Sequence, residues 1–156
     1  MQVTGGVSFS FNYTDTNSIA IGAEYFHNPA GYSNPALYPW LLYTGDYSPL
    51  YLGQHYAGLF VLVPGLPGNL NWITLTLTGL MNISDPSGIV RLDAFFRVLT
   101  FLSIEAYGSF NFGVKGGEFR FGLDIPSIPL PDGSETGAIK VPYSAGSFGL
   151  GLRLSI

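Results

Sequence analysis

The chain has 156 residues, the size of one domain, and only 10% of them are charged, against about a quarter in an ordinary soluble domain. A net charge of −4 with no basic run argues against nucleic acid as a partner, and the absence of cysteine excludes disulfides and thiolate-held metals. Although 47% of the residues are apolar, no stretch approaches the roughly 18 consecutive apolar residues of a membrane-spanning helix, so the hydrophobicity is dispersed, as strand alternation disperses it.

From residue 3 to residue 13, Val3, Val7, Phe9, Phe11 and Tyr13 alternate with Thr4, Gly6, Ser8, Ser10 and Asn12. This is period two over the roughly 9 to 11 residues that a tilted transmembrane strand needs. Residues 14–17 (TDTN) read as a tight turn, and Ile19, Ile21, Ala23 and Tyr25 give a second strand its apolar face. Residues 27–54 break the pattern with Tyr, Pro, Asn and Gly. Three readings compete for them: a strand pair near residues 37–43 and 47–53, a plug or docking segment, or the scar of a chain cut from a larger barrel. Pro35, Pro39 and Pro49 argue against central strands, and Tyr38, Trp40, Tyr43, Tyr47 and Tyr51 are equally suited to an interfacial girdle.

The alternation then resumes, least clearly in residues 55–63. Residues 72–83 set Ile73, Leu75, Leu77, Met81 and Ile83 against Thr74, Thr76, Thr78 and Asn82. After the Asp85-Pro86-Ser87-Gly88 turn, Val90, Leu92, Ala94, Phe96 and Val98 oppose Arg91, Asp93 and Arg97. Residues 102–112 oppose Leu102, Ile104, Ala106, Phe110 and Phe112 to Ser103, Glu105, Tyr107, Ser109 and Asn111. Residues 118–125 oppose Phe119, Phe121, Leu123 and Ile125 to Glu118, Arg120, Gly122 and Asp124. The closing stretch places Phe148, Leu150, Leu152, Leu154 and Ile156 on one side and Gly149, Gly151, Arg153 and Ser155 on the other. The expected count is eight strands. The Pro-rich connections 64–71 and 126–142 fall on one side of that scheme and the turns 84–88 and 113–117 on the other.

Charge placement tests this register. Nine charged residues fall within the expected strands, Glu24, Arg91, Asp93, Arg97, Glu105, Glu118, Arg120, Asp124 and Arg153, and all nine lie opposite the aliphatic residues. Independent placement would produce that on the order of once in several hundred trials. A lipid-facing band has to exclude charge, since one near the midplane costs about 2 to 4 kcal/mol. A soluble lipocalin-like barrel with the apolar face inward is the competing reading. The small Ser, Thr, Gly and Ala of the polar face and the low charge content favour lipid outside and a narrow polar lumen inside.

The closing strand, with its alternating apolar residues and hydrophobic end, resembles the C-terminal strand of bacterial outer-membrane β-barrels, and the period-two strands and one-sided charges extend that resemblance over most of the chain. The resemblance implies an all-β fold: a transmembrane antiparallel up-and-down barrel of about eight strands forming a single domain over residues 1–156, with 27–54 as an irregular insertion. It also implies insertion into lipid or detergent by the barrel-assembly machinery, which reads Phe148, Leu150, Leu152, Leu154 and Ile156. Residues 22–26, 51–56 and 84–93 look similar to the C-terminal part of large outer-membrane proteins. Residues 1–20 lack a secretion signal, so the expectation is a mature chain with an added Met1 or a piece of a longer one.

The expected function is structural anchoring in the outer membrane, with the nine charges paired in a side-chain-filled lumen. The alternative is a pore-forming unit, part of a larger barrel or self-associated, in which those charges line a channel. Outer-membrane lipid-modifying enzymes form a lesser alternative. Its parts would be His27 and His55 with Asp46 or Glu24 and with Ser33 or Ser48. No flanking motif supports them and no metal-type His spacing occurs, so neither catalysis nor a cofactor is expected.

Overall fold

A computed structural model describes residues 1–45, 51–127 and 137–154; of residues 42, 123, 125 and 139 it describes the backbone alone. The chain is all-β with little helix. Seven strands form one antiparallel sheet in chain order: β1 (Val3–Asn12), β2 (Ser18–His27), β3 (His55–Pro64), β4 (Ile73–Asn82), β5 (Ser87–Arg97), β6 (Leu102–Gly113) and β9 (Gly146–Leu154). Two three-residue strands, β7 (Leu123–Ile125) and β8 (Ile139–Val141), pair with each other outside it.

The sheet is an up-and-down meander, and it is open. β1 and β9 are its edges and are not paired with each other. Because the number of strands is odd, these edges run in the same direction, so pairing them directly would make a parallel ladder in an otherwise antiparallel sheet. The expected antiparallel up-and-down architecture is present with seven strands in its sheet rather than eight, and the sheet does not close on itself. Residues 118–125 do not form a barrel strand: Glu118–Arg120 is a 3-10 turn and only Leu123–Ile125 is extended. The alternation there does not become one long strand because the chain turns at Glu118–Arg120, and Gly116 (φ +90°) bends it just ahead of that turn.

The odd count also sorts the connections. One end of the sheet, here the turn end, carries short links between Asn12 and Ser18, Pro64 and Ile73, and Arg97 and Leu102. The other, the loop end, carries residues 28–54, the tight 83–86 turn and residues 114–145. The long 114–145 connection therefore lies at the opposite end from the 64–73 link, contrary to the eight-strand scheme, in which 126–142 shared its side. Thr14 fixes the first turn by accepting Asn17 N–H at 3.0 Å, and the Tyr13 hydroxyl donates to the Pro64 carbonyl at 2.5 Å, tying two turn-end links together.

The described part of the 28–54 segment contains helix α1 (Tyr38–Thr44), entered through an Asn34-capped 3-10 turn at Pro35–Leu37 and stopped by Gly45 at φ +69°. This removes the hidden-strand reading of residues 37–43, because Pro39 sits in the first turn of a helix, where its missing N–H costs nothing. Tyr32 and Gly53 form an isolated bridge that closes the segment's base.

Among the described residues the buried hydrophobic side chains are Tyr38, Leu41 and Tyr56. They lie where α1 meets the loop end. Among the described residues no hydrophobic core forms against either face of the sheet.

Candidate functional site

The register assigns every strand residue to a face. One cross-sheet row runs Phe9, Ile21, Val61, Leu77, Leu92, Gly108, Phe148. The rows on the same side of it contain Val7, Ala23, Leu59, Val90, Phe110, Leu75, Ala94, Ala106 and Leu150. No charged residue occurs on this face in any of the seven strands. The face is also uncovered: Phe148 is 91% exposed and Leu150 78%, and Leu152 and Leu154 are nearly as open. Ile156 lies outside the described residues. A soluble sheet buries such a face against a second layer; here none exists among the described residues.

The opposite face carries six of the nine expected charges: Glu24 on β2, Arg91, Asp93 and Arg97 on β5, Glu105 on β6 and Arg153 on β9. Arg91 clasps Asp93 with contacts of 2.6 to 2.9 Å, and its guanidinium lies 4.1 Å from the centre of the Tyr107 ring. Tyr107 in turn covers Gly149, where an added methyl would collide with the ring. One contact line thus links β5, β6 and β9. Arg153 and Glu105 approach at 3.8 Å, and both are largely exposed. Glu24 and Arg97 have no ion-pair partner among the described residues.

Glu118, Arg120 and Asp124 stand elsewhere, because they do not belong to the sheet. Asp124 faces Lys140 across β7 and β8 at 3.9 Å, exposed to solvent. Arg120 donates to the Gly113 carbonyl at 3.1 Å. Glu118 enters a polar cluster that composition and alternation did not indicate.

That cluster closes the loop end. Asn82, at the end of β4, donates from Nδ2 to Glu118 (2.9 Å), Asp85 (3.1 Å) and the Tyr38 hydroxyl (3.3 Å). Tyr56 donates to Glu118 at 2.5 Å and accepts Gly53 N–H at 2.5 Å. Asp85 accepts the N–H of Ser87 (3.0 Å) and of Glu118 (2.7 Å), and Glu118 accepts Leu52 N–H at 3.1 Å. Tyr38, Tyr56, Asn82, Asp85 and Ser87 are each 1% exposed or less. The cluster fastens α1, residues 52–54 and the 118–120 turn to the strand ends. Gly53 is the residue that admits this packing, since a methyl there would enter the Asn82 carboxamide. Burial, reinforced by the Asp85 carboxylate, pushes the Tyr38 phenol well above its ordinary value. No group of three metal-ligating side chains occurs among the described residues.

His27 and His55 are directly opposed on β2 and β3, on the apolar face at the loop end, with rings stacked at 4.8 Å. The Tyr25 hydroxyl contacts His55 Nδ1 at 2.6 Å. Glu24 lies on the other face of β2 from His27 and does not orient it, while Asp46 and Ser48 lie outside the described residues. Comparison with protein-family models, curated proteins and solved structures finds no match for this chain.

Proposed function

We propose that the protein is an integral β-barrel component of the bacterial outer membrane with a structural, anchoring role, its sheet forming a wall with lipid on the apolar side and the polar side turned inward. One observation carries this reading: an uncovered, charge-free apolar face extending over seven strands. The strand lengths support it. Ten residues at about 3.3 Å each, tilted by about 45°, span roughly 23 Å, close to the roughly 25 Å apolar band of such barrels. If β9 ends on the periplasmic side, as closing strands of this architecture do, the short links are periplasmic and residues 28–54 and 114–145 are external, the usual asymmetry.

Since the chain has no cysteine, single introduced cysteines test the reading. In lipid vesicles, Phe9→Cys, Leu92→Cys and Leu150→Cys are expected to resist a membrane-impermeant maleimide and to be quenched, once labelled, by brominated acyl chains. Ser8→Cys and Ser147→Cys are expected not to be quenched. Equal quenching on both faces would overturn the assignment, as would a chain that stays monomeric in water without detergent.

The pore-forming reading is favoured by the open sheet, since a wall that does not close on itself suits a wider barrel with a wet interior. Stable conductance steps after reconstitution would select it over a filled lumen.

A further inference from the structure

We infer that the turn end of the polar face holds an oxyanion-binding site built on Arg97 and Arg153. The ladder places these residues on either side of Ser103: Arg97 pairs with Ser103 across β5 and β6, and Ser103 pairs with Arg153 across β6 and β9. All three side chains leave the same face, and the two arginines stand two strand spacings apart, about 10 Å between Cα atoms. Together with Thr100 and Phe95 they line a cleft of about 290 Å³.

The side chains around this cleft are left with hydrogen-bonding capacity. Arg97 has no ion-pair or side-chain hydrogen-bond partner among the described residues, in contrast to Arg91, whose Nε and Nη2 are paired with Asp93. Arg153 meets Glu105 only at 3.8 Å, beyond hydrogen-bonding distance. Ser103 is 8% exposed, and its hydroxyl has no partner among the described residues. Two forked guanidinium groups and a hydroxyl between them match the oxygens of a phosphate or carboxylate, which accepts paired N–H bonds from arginine. Among the described residues two cations stand against one carboxylate there, which leaves the cleft locally positive in a chain whose net charge is −4. Bulk attraction of anions does not account for that; the arrangement of these residues does.

The ligand chemistry is a tetrahedral or planar oxyanion, supplied either by a free solute or by a lipid phosphate reaching the rim. The site stands on the polar face alone and does not depend on what covers the apolar face. Its failure is therefore distinct from failure of the membrane reading.

The test is a titration of the full chain in a maltoside detergent with inorganic phosphate, following the arginine Nε–H signals by NMR. Saturable shifts of Arg97 and Arg153, with Arg91 unmoved, are expected, weakening as salt is raised to about 0.5 M. Arg97→Gln and Arg153→Gln should each weaken binding about tenfold or more, whereas Arg91→Gln should leave it within about twofold. A second arm compares nanodiscs of phosphatidylglycerol with nanodiscs of a neutral glycolipid. Shifts seen only with phosphatidylglycerol assign the anion to a lipid headgroup, and shifts with inorganic phosphate assign it to a solute. The proposal is overturned if neither probe moves the Arg97 and Arg153 signals, or if the two glutamine variants bind as the parent does.

Discussion

Asn82 shows how much one side chain can organise when it is buried among acceptors. Its amide is shared by two carboxylates and a phenol, and its carbonyl oxygen accepts Ser84 N–H at 2.9 Å. Leaving such groups without partners costs about 1 to 3 kcal/mol each. Tyr38 supplies the measurable consequence of this burial. Its folded pKa is raised, so the folded chain retains the phenolic proton after the unfolded chain has begun to lose it near pH 10. The contribution of Tyr38 is fully present below about pH 10 and declines as the pH rises further. Unfolding midpoints measured from pH 8 to pH 11 should therefore fall in the alkaline range. Tyr38→Phe should be less stable by about 1 kcal/mol at pH 8 and should fall less steeply above pH 10; parallel curves for the two proteins would contradict the assignment. None of this cluster was legible in the sequence. Its members are scattered over Tyr38, Tyr56, Asn82, Asp85, Ser87 and Glu118, and no local period marks a set that only long-range folding brings together.

At the scale of the strand, much more was readable. Alternation has a period of two whether or not a strand is buried, so the faces of β1, β2, β4, β5, β6 and β9 follow directly from residue identity, and six charges fall where parity puts them. The same rule failed at residues 118–125, where four alternating apolar positions occur in a segment that turns instead of extending. Gly116 and Gly117 before it and Pro126 after it were the available signals. The two faces of β4 permit a matched comparison. Leu77 and Thr76 are neighbours in mid-strand, on opposite sides of the sheet. Leu77→Arg should lose about 2 to 4 kcal/mol of stability on folding into lipid vesicles, whereas Thr76→Arg, placed across from Asp93, should change it by less than about 1 kcal/mol. Urea titration of the folded fraction separates the two, and equal losses would show that the faces are equivalent.

For the whole molecule, the accessible surface is 10,427 Å², whereas a compact protein of 16.8 kDa exposes about 7,700 Å². A sheet with two unpaired edges and, among the described residues, no second layer contributes to this excess. In hydrocarbon an unpaired edge costs several kcal/mol per unsatisfied group, so a membrane form requires partners for β1 and β9, and an antiparallel closure needs an odd number of added strands. Amide hydrogen exchange reads this directly. In detergent the outward-pointing amides of β1 and β9 should exchange quickly and those of β3, β4 and β5 slowly. Uniform protection across all seven strands would mean that the edges are already paired.

The common direction of β1 and β9 also bears on where the two ends of the sheet would reside in a cell. A meander that crosses a bilayer an odd number of times delivers the start of its first strand and the end of its last to different compartments. An epitope inserted beside Val3 and one inserted beside Leu154 would then be sorted apart, one open to antibody on intact cells and the other reached only after the envelope is breached.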